Sequence, residues 1–281
     1  MAEISTKDIA ALRKQTGAGM LDVKKALEET GGDMEAAKDW LRTQGLAGAA
    51  SRAGRAAQDG AVDVVVEGSK GAIVELTCET DFVAKGDEFR RIVAELTMLV
   101  VERGADDLES QPFDGGTVGD AIKQLGSKLG ENVGIGRVVL FETTDGIVDG
   151  YKHIQNDRGT IGVVVELGGV DASDDLARGV AHDVALHVAS AAPRFVTRDD
   201  VPAEVVDRER AVLLELTRNE GKPEQAIPKI VEGRLNAFFK ETVLVEQPFV
   251  REPKTTVGKL LSDLGKDVTV RRFARIKVGE E

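Results

Sequence analysis

The chain has 281 residues, 42% hydrophobic and 31% charged, and its 37 Lys and Arg against 49 Asp and Glu leave a formal charge of −12 at pH 7. That is enough apolar material for one or two packed cores and excludes wholesale disorder, while the acidic excess disfavours direct binding of RNA or DNA, which rests on cations neutralising phosphates. No window approaches the roughly 18 consecutive apolar residues of a membrane span, and Met1-Ala2-Glu3-Ile4-Ser5 lacks the basic and apolar regions of a signal peptide, so a cytosolic protein is expected.

The first 57 residues hold nine basic and eight acidic side chains, so the head is neutral and the acidic excess lies in the body. Three short helices are expected in the head. Ser5 or Thr6 can cap the first, which carries Ile9 and Leu12 three apart and is broken by Thr16-Gly17-Ala18-Gly19. The second spans about 20–29, with Met20, Val23, Ala26 and Leu27 at helical spacing, and Gly31-Gly32 ends it. Asp33 caps a third helix carrying Met34, Ala37, Trp40 and Leu41. Residues 1–45 read as one small bundle whose apolar loop is available to a partner, and 46–57, rich in Gly, Ala, Ser and Arg, read as a linker with helical tendency.

The body repeats itself. Gly60-Ala61-Val62-Asp63 returns as Gly146-Ile147-Val148-Asp149, and Gly71-Ala72-Ile73-Val74-Glu75-Leu76 is echoed within 159–167; each copy predicts a two-stranded hairpin. A helix follows each, from Asp87-Glu88-Phe89-Arg90 in the first copy and Asp175-Leu176-Ala177-Arg178 in the second. Further on, Thr117-Val118-Gly119 and Leu129-Gly130-Glu131-Asn132-Val133 pair with Thr256-Val257-Gly258 and Leu264-Gly265-Lys266-Asp267-Val268. The larger offset of this second pairing places an insertion in the second copy. Its segments 202–218 and 223–240 have helical apolar spacing around Asn219-Glu220-Gly221-Lys222, an antiparallel helical hairpin in which Val205, Val212, Leu213 and Leu216 face Ile227, Ile230, Val231 and Leu235. The expected class is α+β: a three-helix head, then two related units, 58–145 and 146–281, each a small antiparallel sheet with helices on one side, the second interrupted at about 200–242.

Enzyme chemistry finds little support. A single cysteine, Cys78, excludes an intramolecular disulfide and a Cys-cluster zinc site, and His153, His182 and His187 form no HExxH pattern, so neither metal nor cofactor is expected. Gly221-Lys222, Gly258-Lys259 and Gly265-Lys266 are each followed by the wrong residue for a P-loop, and Gly134-Ile135-Gly136 lacks the third glycine of a dinucleotide fingerprint. There is no GxSxG elbow. His182 and His187 are expected to pack or meet solvent, and Cys78 to act as a small hydrophobe.

The segment that stands apart is Cys78-Glu79-Thr80-Asp81-Phe82-Val83-Ala84-Lys85-Gly86, between the first unit's second strand and its helix; the second unit has Gly168-Gly169-Val170-Asp171-Ala172-Ser173 there. An element needed only for folding would tend to recur in both copies, whereas an Asp-Phe turn can offer an anion and a ring together. The alternative is a helix cap, by Thr80 or Asp81, with Phe82 in the core.

Thr16-Gly17-Ala18-Gly19-Met20-Leu21-Asp22-Val23-Lys24-Lys25-Ala26-Leu27 and 78–85, with Ala53-Gly54-Arg55, Gly130-Glu131-Asn132, Glu246-Gln247-Pro248-Phe249-Val250 and Val278-Gly279-Glu280, resemble the bacterial translation elongation factor Ts family over essentially the whole chain. The resemblance implies a ubiquitin-associated-like head, a duplicated α+β core and a coiled-coil insertion. It implies guanine-nucleotide exchange on elongation factor Tu, in its GDP-bound and nucleotide-free forms, without covalent catalysis. By the same resemblance Thr80, Asp81, Phe82 and Val83 wedge beside the partner's magnesium and nucleotide site, Leu12, Gly19, Met20, Leu21 and Lys24 pack on its nucleotide-binding domain, and His153 faces its other domains. The family often has a polar residue where this chain has Gly86, and Cys where it has Val23; Gly86 is expected to loosen the turn. The hairpin looks shorter than in some relatives, which leaves dimerisation through it open. Two other classes compete: a non-catalytic adaptor using the head, and an enzyme using Asp81, His153 or Cys78, against which the lack of an assembled catalytic constellation argues.

Overall fold

The computed structural model describes residues 4–16, 18–52 and 54–280. Met1, Ala2, Glu3 and Gly17 of the N-terminal motifs, Ala53 of the linker motif and Glu281 lie outside the described residues.

The head is three helices, α1 (Thr6–Thr16), α2 (Met20–Glu29) and α3 (Met34–Arg52). Ser5 starts α1, its hydroxyl accepting from the Asp8 N–H at 3.1 Å while the Asp8 carboxylate accepts in return. Gly31 and Gly32, at φ 65° and 89°, take the left-handed backbone that stops α2, and Asp33 then caps α3 through the N–H groups of Glu35 and Ala36. Leu12, Val23, Ala26, Leu27 and Ala37 fill the small core. α3 runs seven residues past the expected end of the head at 45, because the alanine-rich stretch after Gly45 keeps helical propensity where a flexible connection was expected.

The two body units follow one plan. β1 (Asp59–Glu67) and β2 (Lys70–Cys78) form a hairpin, then come a one-turn helix α4 (Asp81–Ala84) and the long α5 (Asp87–Arg103). A 3-10 turn at Leu108–Ser110 leads to the short β3 (Pro112–Phe113) and β4 (Gly116–Thr117), α6 (Val118–Leu129) and β5 (Gly134–Glu142), which joins the sheet beside β2. In the second unit β6 (Gly146–Gln155) and β7 (Arg158–Gly168) pair, α7 (Asp175–Ala191) covers them, and the insertion follows as α8 (Ala203–Asn219) and α9 (Ile227–Thr242). The plan then resumes with a 3-10 turn at Leu244–Glu246, β8 (Pro248–Phe249), β9 (Glu252–Thr256), α10 (Val257–Leu264) and β10 (Thr269–Lys277), which pairs with β7. Thr117 and Thr256 cap equivalent helices, as the repeated Thr-Val-Gly predicts.

Both sheets are antiparallel, of three strands each, and bury both faces. On β2, Ala72, Val74 and Leu76 pack under α5, whereas Ile73 points the other way into a layer with Val62, Val148, Val164 and Ile276 from both units. The sheets therefore stack on each other, with α5 and α6 outside one and α7 and α10 outside the other. The sequence reading placed helices on one side of each sheet and left the other face unassigned. Glycines permit the close approach: a Cβ on Gly71 would lie 2.6 Å from Val148 Cγ1, and one on Gly162 would lie 2.8 Å from Ile73 Cγ2. Each sheet also carries a buried acid paired with arginine from its third-joining strand, Glu75 with Arg137 and Glu166 with Arg271 and Arg272.

The insertion is the expected hairpin with a different seam. Leu235 and Phe239 of α9 are buried with Val201 and Val243, and Val205, Val206 and Leu213 of α8 pack against them. Val212 and Leu216, expected in the seam, are 55% and 47% exposed, while Thr217 is buried instead. The Thr217 hydroxyl donates to the Leu213 carbonyl at 2.6 Å and accepts from Arg234 at 3.3 Å, so a polar residue takes a seam position because its hydrogen bonds are made. Among the described residues no helix is long and apolar enough to cross a membrane.

Candidate functional site

β2 ends in Cys78, which is fully buried; burial first, then the nearby carboxylates of Glu131 and Asp59, push its thiol up to about 12. It is a neutral small hydrophobe whose sulfur meets the Thr80 carbonyl at 3.1 Å. The chain then turns at Thr80, whose extended backbone and hydroxyl cap α4 by accepting from the Val83 N–H at 3.4 Å. Only Ala84 of α4 is buried, and Val83 packs partly against the core. Four residues offer one inward face, so Phe82 is left outside, 83% exposed. Of the alternative reading, the cap by Thr80 is present and the core phenylalanine is not.

Asp81 sits beside it, its carboxylate accepting from Lys85 Nζ at 2.5 Å, and the same ammonium lies 6.0 Å from the centre of the Phe82 ring. The hydrogen bond from Lys85 is the main reason the Asp81 carboxyl titrates below its ordinary range, so the turn presents a ring and an ionised carboxylate together. Gly86 follows at φ −61°, an ordinary value, and caps α5; a Cβ there would meet the Val83 carbonyl at 3.1 Å. The glycine gives the turn room, and no special backbone conformation depends on it.

Two contacts hold this turn that the sequence reading did not assign. The Glu131 carboxylate accepts from the N–H of Glu79 (3.0 Å) and Thr80 (3.1 Å) through one oxygen and from the Thr80 hydroxyl (2.5 Å) through the other. At the far end Arg90 donates to the Lys85 carbonyl at 3.1 Å and to the Asp157 carbonyl at 2.9 Å. Asp157 lies in the tight β6–β7 turn, with Asn156 and Asp157 at φ 52° and 62°, so Arg90 ties the exposed turn of one unit to the hairpin tip of the other. Gly130-Glu131-Asn132 was visible as a motif; its partner Thr80, 51 residues earlier, was not.

His153 is on that hairpin, exposed, its Nδ1 3.2 Å from the Tyr151 hydroxyl, with Ile154 beside it 61% exposed. The structure thus brings Thr80, Asp81, Phe82 and Val83 together at one turn and joins it, through Arg90 and Asp157, to the tip of the hairpin that carries His153. The head forms a second surface. After Gly19, Met20 and Leu21 open α2 at 60% and 82% exposure, and Lys24, one turn on, is exposed and 3.7 Å from Glu28. Met20 borders a shallow groove shared with Ile9, Ala10 and Arg13 of α1. Leu12 differs from expectation: it is fully buried in the head's core, so it supports this surface from beneath and cannot touch a partner itself. No hydrogen bond or ion pair among the described residues links these head residues to the 80–83 turn.

Among the described residues no cluster of His, Cys, Asp and Glu is placed to hold a metal ion. His182 pairs with Asp149 at 3.0 Å. His187 is buried between Gln247 and the Val250 N–H. The arrangement is a protruding ring and carboxylate on a braced corner, suited to entering another protein.

A family model described as Elongation factor TS matches residues 79–280. Among similar proteins, the Elongation factor Ts of Micrococcus luteus is 48% identical over 282 residues, covering 99% of this chain and 100% of that protein. The Elongation factor Ts of Aquifex aeolicus is 41% identical over 289 residues, covering 98% of each. That of Thermobifida fusca is 43% identical over 287 residues, covering 100% of each.

Proposed function

The chain belongs to the elongation factor Ts family, nucleotide exchange factors of translation elongation, and on that premise we propose that it drives GDP from elongation factor Tu by inserting the 80–83 turn beside the partner's magnesium and nucleotide site. The observation that supports this most is Phe82, a ring 83% exposed at the tip of a turn bound on both sides. Burying such a ring in a partner is worth about 1.5–3 kcal/mol, and aromatic anchors dominate interfaces. The Asp81 carboxylate beside it, released from Lys85, would compete for the hydrogen bonds and magnesium water shell around the phosphates.

The partner holds GDP through magnesium and through N–H groups around the phosphates, so a small displacement weakens several contacts at once. Coupling is reciprocal: whatever factor the protein takes from GDP affinity, GDP takes from its own affinity, and incoming nucleotide drives it off. Gly19, Met20, Leu21 and Lys24 would dock the head on the nucleotide-binding domain, with Leu12 as their support, and His153 would meet the partner's other domains. No covalent chemistry is needed. The test is the release of a fluorescent GDP analogue from purified elongation factor Tu, chased with unlabelled GDP, with this protein at catalytic concentration. Acceleration with turnover is expected; binding without acceleration would replace exchange by a plain adaptor role.

A further inference from the structure

We propose that Glu131 is a positioning residue for exchange: its carboxylate grips the corner leading into α4 and aims Phe82 and Asp81 at the partner. This rests on the exchange reading above and names a residue outside the turn on which the activity depends.

A single helical turn does not hold itself in water, because fixing its backbone costs more than its hydrogen bonds return. Phe82, 83% exposed, buries little against the protein that could fix its own placement. The direction of the turn must therefore be set from outside, and Glu131 takes all three donors at its entry: the N–H groups of Glu79 and Thr80 and the Thr80 hydroxyl. A hydroxyl has one hydrogen. With that hydrogen held by Glu131 at 2.5 Å, the lone pairs of Thr80 are left to face the Val83 N–H and cap α4. The next residue extends the grip: the Asn132 N–H donates to the Glu79 carboxylate at 2.6 Å and its side-chain amide to the Arg55 carbonyl at 2.8 Å. The corner is thereby fixed to the segment that arrives from the head.

The internal repeat supplies an independent argument. Arg90 and its counterpart Arg178 both donate to a carbonyl of the loop before their helix, Lys85 and Ala172, so that contact serves the shared fold. Glu131 has no such counterpart: the matching residue is Lys266, opposite in charge, in the unit that has no Asp-Phe turn. There the corner is closed differently, with Gly169 so near the Asp267 carbonyl that a Cβ would lie 2.0 Å from it. The carboxylate occurs only where there is a protruding turn to aim.

The experiment is a double-mutant cycle in the full chain, following release of the fluorescent GDP analogue from elongation factor Tu over a range of factor concentrations. Glu131→Ala is expected to lower the maximal release rate roughly tenfold to a hundredfold, the loss associated with misplacing an acting group by about an ångström, with the half-saturating concentration little changed. In a Phe82→Ala background the same substitution is expected to have a much smaller effect, since only Asp81 is left to aim. Glu131→Gln, which keeps one acceptor oxygen for the two N–H groups but sets an NH2 donor where the Thr80 hydroxyl donates, should lose less than Glu131→Ala, by roughly threefold to tenfold. Equal losses from Glu131→Ala on both backgrounds, no loss on the wild-type background, or a change confined to half-saturation would overturn the proposal. Should Glu131→Ala fail to fold, Glu131→Gln on the two backgrounds carries the same cycle through its smaller loss, and additive effects would again overturn it. A wild-type protein that does not speed release would sink the exchange reading itself, whereas an active wild type matched by Glu131→Ala would sink only this inference.

Discussion

Two side chains show how placement at one residue decides between standing free for a partner and holding the core. Phe82 and His187 are both ring-bearing residues on helices of equivalent units, yet one stands in solvent and the other is fully buried. His187 donates through Nε2 to Gln247 at 2.9 Å and accepts at Nδ1 from the Val250 N–H at 3.3 Å, an arrangement that requires the neutral ring. Burial, only partly offset by Gln247, lowers its pKa. A histidine whose folded pKa is depressed binds its proton first in the unfolded chain, so its contribution is intact above the unfolded value of about 6.5 and is lost as pH falls through the folded value. The melting temperature should therefore decline from pH 7 to pH 5, and the decline should be smaller in His187→Gln. An unchanged slope in that variant would remove His187 from the account. At this scale the Asp-Phe turn was legible because only one copy of the repeat has it. For Leu12 the spacing with Ile9 already marked an apolar helix face, and it was the family resemblance that placed it at a partner; the structure puts it in the head's core.

At the scale of the element, the α8–α9 hairpin shows what periodicity leaves undecided. α8 carries Val205, Val206, Val212, Leu213, Leu214 and Leu216, more apolar positions than one narrow seam accepts, so several stripes satisfy a 3.6-residue period about equally. The structure selects the stripe through Leu213 and Thr217, where Arg234 can reach both Thr217 and Glu220. Leu235, 1% exposed, is then the anchor on α9. Leu235→Ala should cost roughly 2–5 kcal/mol in denaturant unfolding, the range for a leucine removed from a packed core. Val212→Ala and Leu216→Ala should each change stability by less than about 0.5 kcal/mol, as surface substitutions do. The reverse order would restore the seam read from the sequence. By contrast α2 was legible at both ends, because Gly19 and Gly31-Gly32 leave its apolar spacing only one length to fill.

For the whole molecule, the stacking of two sheets was the part the sequence reading missed, although a trace of it was present. Ala72-Ile73-Val74 and Val163-Val164-Val165 are apolar at successive positions, the pattern of a strand covered on both faces, and Gly71, Gly150 and Gly162 leave room for the second sheet. The repeat itself was read correctly, since Thr-Val-Gly caps and Gly-rich hairpins survive in both copies. Gly162→Ala should be destabilising by about 1–3 kcal/mol through overpacking against Ile73 and Val64, and a neutral result would mean that the interface is looser than described. The stacking sets the Phe82 turn and the His153 hairpin side by side, with Arg90 between them. The proposed exchange through that braced turn is tested by comparing wild type, Asp81→Ala and Phe82→Ala for release of a fluorescent GDP analogue from elongation factor Tu. Acceleration by the wild type and a loss of roughly tenfold or more from Phe82→Ala are expected, in line with removal of an interface anchor. Undiminished acceleration by both variants would contradict the proposal.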